Sequence, residues 1–246
     1  MPAILIVIPC YRERERLPQF LPELCRELAA LNNVRARVVD DGSGAEQQGW
    51  LAEYVEQMRR EYAFLEPAQL NTENLGKGGA IYSAWDRSEG AGLLGFVDAD
   101  GAVPASEVAR VVKRANEQPG KAVFAVRTGQ DGTSVKRTLH RKLAGGVFRW
   151  LVRRFFRFPL PDTQCGLKLV PAADYAEIRP VLKERRFIFD VELAWHLLQR
   201  GVSIEPVPID WTESPGSQLR PASAWQMYQS VKALRRRLGD WMKRAE

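Results

Sequence analysis

Cysteine, histidine and long apolar runs are what this sequence has least of. Its three cysteines, Cys10, Cys25 and Cys165, are an odd and widely scattered set, which argues against a disulfide framework and against a zinc site built from close cysteine pairs. The two histidines, His140 and His196, could act as bases, but a histidine on a helix face is more often structural, and neither is assigned a role. The longest clean apolar run, Ala3 to Ile8, falls far short of the roughly 20 residues that a membrane-spanning helix needs. It also begins too near Met1 for a secretory signal. These absences lead to the expectation of a soluble, cytoplasmic protein in a reducing compartment.

What is present is enough for a sizeable core: 246 residues, 45% of them apolar, suit one large α/β domain. A formal charge of +6 implies an anionic partner, but nucleic acid, anionic lipid and phosphate-bearing substrates satisfy that equally.

The β-branched run Ala3 to Ile8 reads as a buried parallel strand that stops at Pro9, which cannot donate to a ladder. Leu17, Phe20, Leu21, Leu24, Leu28 and Leu31 follow at helical spacing. The cycle repeats with a strand at Val34 to Val39, helices at about Glu46 to Tyr62 and Gly78 to Arg87, and a strand at Leu93 to Val97. Alternation of this kind predicts a mostly parallel, doubly wound sheet with helices on both faces. The second half predicts a helix after Pro104, a strand at Ala122 to Val126, a long helical stretch near Val135 to Phe158 and a strand at Gly166 to Val170. A helix at Asp190 to Gln199, a strand at Val202 to Ile209 and an amphipathic helix at about Ser223 to Lys243 complete the reading.

In such sheets ligands bind beyond the carboxyl ends of the strands, where Pro9 to Glu13, Asp40-Asp41 and Asp98 to Asp100 all fall. Asp98 and Asp100, two residues apart in an extended segment, would point the same way, and hard cations such as Mg²⁺ or Mn²⁺ take one or two carboxylates plus phosphate oxygens. The same residues also fit an Asp-Gly turn. Asp40 to Ser43 is a turn by composition, or a pair of carboxylates that accept from a base or ribose. Asn74 to Gly79 is glycine-rich before a helix, so its amides could approach an anion with Lys77 as a point charge. It lacks the spacing of a P-loop.

Taken in order, Ile8 to Pro18, Val39 to Ser43, Asn74 to Gly78, Val97 to Ala102, Asp162 to Lys168, Phe189 to Leu193 and Trp211 to Ser217 resemble the family-two inverting glycosyltransferases of the GT-A fold. The likeness is to the branch that glycosylates dolichyl or polyprenyl phosphate. It implies one α/β domain over 1–246, with a nucleotide-sugar donor half in 1–103, an acceptor half in 104–220 and a basic amphipathic helix in 221–246. It implies that Pro9, Tyr11, Glu13, Asp41, Gly76, Lys77 and Asp98 contact a nucleotide-sugar, UDP-glucose favoured. Asp98 and Asp100 would hold a divalent cation, Mg²⁺ or Mn²⁺. Asp190, with Glu192 as second choice, stands where relatives carry an acid–base carboxylate; Asp162, Gln164, Trp211 and Ser217 would form an acceptor loop. Arg12 stands where the family usually has Asn, and Gln218 where relatives have Lys.

Between Gly132 and Pro161 no acidic residue occurs, while cations from Lys136 to Arg157 alternate with leucines and phenylalanines. Such a stretch suits an anionic membrane surface, or a helix packed on the core. Within it Arg141, with Arg127 before it, matches the arginines that the resemblance places on an acceptor phosphate, with Arg137 a further candidate; guanidinium forks bind phosphate bidentately. The expected reaction moves a hexose to a polyprenyl phosphate, at the inner face of a membrane if peripheral. A saccharide or small-molecule hydroxyl acceptor is the alternative. A basic nucleic-acid-binding module is a distant one, for no signature of such a motif is found and no nucleic acid partner is expected.

Overall fold

The computed structural model describes residues 2–136, 150–152, 154–156, 158–213 and 222–245, with side chains from 228 to 239 in the last segment. Strand β1 (Ile4–Cys10) is apolar at nearly every position because it is covered on both faces. Its alternate residues serve two cores: Ile4, Ile6 and Ile8 join one buried cluster, and Leu5 and Val7 the other. Strands β2 (Val34–Asp40), β3 (Gln69–Leu70) and β4 (Leu93–Val97) run parallel to it. Together with β5 (Ala122–Val126), β7 (Leu167–Pro171) and β8 (Ile204–Pro208) they form one sheet in the order β3-β2-β1-β4-β7-β5-β8. A separate ribbon pairs β6 (Val135–Lys136) with β9 (Trp211–Thr212).

Helices α1 (Leu17–Leu28), α2 (Ala45–Arg59) and α4 (Ala105–Asn116) cover the first core. Helices α3 (Lys77–Trp85), α5 (Ala172–Ile178), α6 (Phe189–Gln199) and α7 (Ala222–Ala245) cover the second. The mostly parallel, two-faced sheet is thus as expected. The C-terminal helix turns its apolar face inward: Val231, Leu234 and Leu238 are buried in the second core. No described helix is long and apolar enough to cross a membrane.

Three details differ from the expectation. β1 continues through Pro9 to Cys10; its pairing with β4 ends at Val7, so the proline sits where only β2 remains as a partner. β7 is antiparallel to both β4 and β5, which a short apolar run does not announce. Val135 and Lys136 begin no helix, because they pair with Trp211 and Thr212 instead; residues 150–152 and 154–156 of that stretch are helical, and 137–149 lie outside the described residues.

Candidate active site

The carboxyl ends of β1, β2 and β4 open on one crevice. At the end of β2 the two aspartates divide their work. Asp40 Oδ1 accepts from the backbone N–H of Ser43 and from Gln48 Nε2, each at 2.9 Å, and so holds the turn. Asp41 Oδ1 accepts from the Leu75 N–H at 2.8 Å, while Asn74 Nδ2 donates to the Asp41 carbonyl at 3.0 Å. The turn therefore docks on the glycine-rich loop, and burial raises the pKa of Asp41 against those amides. Gly42 is required here: its φ is +71°, and a Cβ would lie 2.4 Å from the Glu73 carbonyl carbon.

After β1, Arg12 takes a left-handed φ of 58°, donates its N–H to Ser43 Oγ at 2.9 Å and lays its guanidinium 5.2 Å from the centre of the Tyr11 ring. Glu13 is gripped by Arg16 through a two-point contact, one arm of it at 2.7 Å. Burial raises the pKa of Glu13, Arg16 opposes this, and the charges of Asp100 and Asp98 add to the rise. Glu13 thus feels both aspartates.

Asp98 follows β4, and Asp100 lies in a turn rather than in a continued strand: its Oδ1 accepts from the Ala102 N–H at 3.0 Å. The turn, not extended alternation, brings the pair together. Asp98 Oδ1 is 2.6 Å from Lys77 Nζ. Burial would lower the pKa of Lys77, but the Asp98 charge and hydrogen bond outweigh it and raise it. Asp100 has its pKa raised by burial and then by Asp98. From the other side, Gly166 O accepts from the Asp98 N–H at 2.9 Å, and a Cβ on Gly166 would sit 2.2 Å from Asp98 Oδ2. Only glycine lets this loop back so closely on the aspartate.

Lys77 leads α3 behind a loop whose glycines are also dictated by contact. A Cβ on Gly76 would meet Arg185 O at 2.6 Å, and one on Gly78 would meet the Phe189 Cβ at 2.5 Å. The loop's glycines thus serve close packing as well as any ligand.

Deeper lies Asp190, at the start of α6. Its Oδ2 is 3.3 Å from Lys168 Nζ, and its Oδ1 is buried with no hydrogen-bond partner among the described residues. Burial raises its pKa, against the charges of Lys168 and Lys77. Lys168 is fully buried within β7, donates to the Cys165 carbonyl at 2.6 Å and lies 5.3 Å from the centres of the Phe96 and Phe124 rings. Sequence reasoning quoted Lys168 in a motif but gave it no role. A lone lysine inside the apolar run Leu167 to Val170 was the available signal.

Arg127 pairs with Asp162: its Nε and one terminal nitrogen reach the two oxygens of Asp162 at 2.7 and 3.0 Å, and its guanidinium lies 5.3 Å from the centre of the Trp211 ring. Burial favours a neutral Asp162, yet Arg127 outweighs it and holds the carboxyl well below its ordinary value. Asp162 also accepts from the Gln164 N–H at 3.0 Å, so Arg127, Asp162, Gln164 and Trp211 form one cluster. Glu192 is not brought to the crevice. Its Oε2 accepts from the Lys183 and Glu184 N–H groups at 2.9 and 2.6 Å, and its Oε1 from Arg237 at 2.6 Å. Arg137, Arg141 and Ser217 lie outside the described residues.

Among the described residues no group of three His, Cys, Asp or Glu side chains could hold a metal ion. The two carboxylates of Asp98 and Asp100, brought onto one turn, are nonetheless of the kind that a hard cation takes when it draws its remaining ligands from phosphate and water.

The model of the family described as Glycosyl transferase family 2 matches residues 5–171, more than half of the chain. The chain belongs to glycosyl transferase family 2. A dolichyl-phosphate beta-glucosyltransferase of Homo sapiens is 29% identical over 257 residues, covering 96% of this chain and 76% of that protein. That of Saccharomyces cerevisiae is 30% identical over 230 residues, covering 87% and 68%. Among solved structures, a mannosyltransferase of Pyrobaculum calidifontis in complex with GDP-Man and Mn²⁺ superposes with a TM-score of 0.65 at 19% identity; the match covers 92% of this chain but only 60% of that one. Glucosyl-3-phosphoglycerate synthase of Mycobacterium tuberculosis gives 0.61 at 15% identity, covering 97% and 80%. These neighbours fix the fold as GT-A, and the family makes the chain a glycosyltransferase.

Proposed function

We propose that this glycosyltransferase moves a hexose, glucose favoured, from a UDP-sugar to a dolichyl or polyprenyl phosphate with inversion at the sugar carbon. The observation that carries the reading is the meeting of Lys77, Asp98, Asp100 and Glu13 at the ends of β1 and β4, in a chain that matches dolichyl-phosphate beta-glucosyltransferases over nearly its whole length.

In this reading Pro9, Tyr11, Glu13, Asp41 and Gly76 line the nucleotide side, and Lys77 offers its ammonium to the diphosphate once it lets go of Asp98. Asp98 and Asp100 would hold Mg²⁺ or Mn²⁺, which when bound neutralises charge that builds on the departing nucleotide. A phosphate acceptor is already ionised at neutral pH, so positioning and stabilisation of the leaving group matter more than a base. Arg127 enters with two of its nitrogens given to Asp162, which leaves the acceptor phosphate mainly to Arg137 and Arg141. Exposed Trp150 and Phe187 support contact with a membrane surface at its cytoplasmic face, where the lipid would be found.

One observation favours a second acceptor class. Asp190 carries a buried oxygen without a hydrogen-bond partner among the described residues, as a base for a sugar hydroxyl would. Incubation with UDP-glucose, Mn²⁺ and either a polyprenyl phosphate or simple saccharides separates the two. Lipid-linked glucose supports the first reading. Its absence with every common nucleotide-sugar, alongside transfer to a saccharide, replaces it with the second.

A further inference from the structure

Glu192 has no exposed side-chain surface, yet both of its oxygens are spoken for by groups outside its own helix. Two of these are consecutive backbone amides, Lys183 and Glu184. The carbonyl of the following residue, Arg185 O, accepts from the Gly79 N–H at 2.9 Å and is the atom that a Cβ on Gly76 would strike. Gly76 and Gly79 flank Lys77, whose ammonium holds Asp98. Four short contacts therefore connect α7 to the crevice: Arg237 to Glu192, Glu192 to the 183–184 amides, Arg185 to Gly79, and Lys77 to Asp98.

The chemistry of the first contact makes the rest depend on it. A carboxylate that accepts two amides at full burial needs a cation nearby, and among the groups that favour its charge Arg237 is the one that brings a positive charge. Arg237 itself is 42% exposed, so it can be removed without opening a cavity. Without it Glu192 takes up a proton or turns outward, and in either case the 183–185 segment loses its fixed point. The glycine loop beneath is held at Asn74 and Leu75 by Asp41, but from Gly76 to Gly79 it rests on Arg185 and shifts with that segment.

We infer that Glu192, clamped by Arg237 of the C-terminal helix, is a positioning residue for the nucleotide-sugar donor: it sets the height of the 183–185 segment and through it the placing of Lys77. This rests on the reading of the Lys77 and Asp98 crevice as the donor site. It assigns Glu192 a role in donor binding from behind the site rather than in proton transfer within it, and it makes docking of α7 a condition for donor affinity.

The test measures UDP binding by calorimetry with Mn²⁺, together with amide hydrogen exchange of the 74–80 and 182–188 peptides, at a temperature well below each variant's unfolding midpoint. Arg237→Ala is expected to weaken UDP binding about fivefold to tenfold and to speed exchange in both peptides. Arg237→Lys, which restores the charge, should recover most of both effects. Arg236→Ala, an exposed change on the same helix, should alter neither. Glu192→Gln keeps an oxygen for the amides but frees Arg237, and should fall between wild type and Arg237→Ala. A merely structural ion pair would lower the unfolding midpoint and leave UDP affinity and 74–80 exchange at wild-type values, which would overturn the inference. If the wild-type protein binds no UDP, the donor reading falls instead, and unchanged 74–80 exchange in Arg237→Ala would still refute the mechanical link on its own.

Discussion

The two walls of the crevice handle charge in opposite ways. On the wall made by β1 and β4, Asp98 keeps 31% of its side chain exposed and its partner Lys77 keeps 22%; Glu13 and Arg16 are at 11% and 23%. On the wall made by β7, α6 and the loop before β7, Asp162 and Asp190 are at 1% and 4%, each with its own cation, and behind that wall Glu192 is at 0% with Arg237. A partly exposed ion pair costs less to break than a buried one, so in the proposed function the first wall can exchange a lysine for another cation or release it to a phosphate. A buried charge stripped of its partner is expensive, so the second wall is fixed when the protein folds. In the proposed function the first wall responds to ligand, and the other sets the geometry that the ligand meets.

The contrast is most exposed to refutation at Arg127. Arg127→Met leaves Asp162 buried and unpaired, and should lower the unfolding free energy by about 3–5 kcal/mol in urea titration; a loss of only a few tenths would put the pair on the exchangeable side. Asp98→Ala should do the reverse. Folding should change little, while turnover falls about 10²–10³-fold, measured as sugar transfer at saturating donor. Near-normal turnover would remove Asp98 from the chemistry and the first wall from the active site.

The fixed wall also carries a pH signature. His196 on α6 has its pKa lowered from 6.5 to about 4, by burial first and then by the charge of Arg237. The folded state therefore resists protonation that the unfolded chain accepts: this contribution is complete above pH 6.5 and is lost as pH falls toward 4, by about 3 kcal/mol in total. His196→Gln should flatten that part of the stability curve relative to wild type, and an unchanged slope would show that the imidazole does not titrate as its burial requires. The smallest effect is expected where the walls touch. Gly166→Ala must push Asp98 aside, and should cost about 10- to 100-fold in turnover with the fold retained, as judged by circular dichroism. An alanine variant with full activity would mean that Asp98 has slack at that contact.

The first wall was the more legible in the sequence, for a physical reason. Its residues sit at the ends of β-branched strands, and position along the chain alone puts Glu13, Asp41 and Asp98 at one edge of a parallel sheet. The fixed wall depends on partners far apart in sequence. Nothing local couples Arg127 to Asp162 or Glu192 to Arg237, so neither ion pair is visible in the sequence. The glycines of the Asn74 to Gly79 loop read as an anion cradle, and what the sequence does not show is that close contacts with Arg185 and Phe189 also dictate Gly76 and Gly78, and one with Leu75 dictates Gly79. The reversed direction of β7 was illegible, since Leu167 to Val170 alternates no differently in either sense; its lone lysine signalled burial, but not the two aromatic rings beside it.

That reversed strand also bears on how the protein is made. By Val97 a nascent chain contains β3, β2, β1 and β4, which can assemble as four parallel strands with nothing yet on the far side of β4. The neighbour that closes that edge ends at Pro171, and β5 must also wait for it, since β7 separates the two in the finished sheet. Pairings so distant in sequence slow folding, and an apolar strand edge left bare in the meantime invites pairing with other chains. Until residue 171 is made, therefore, the second edge of β4 has no partner within its own sheet.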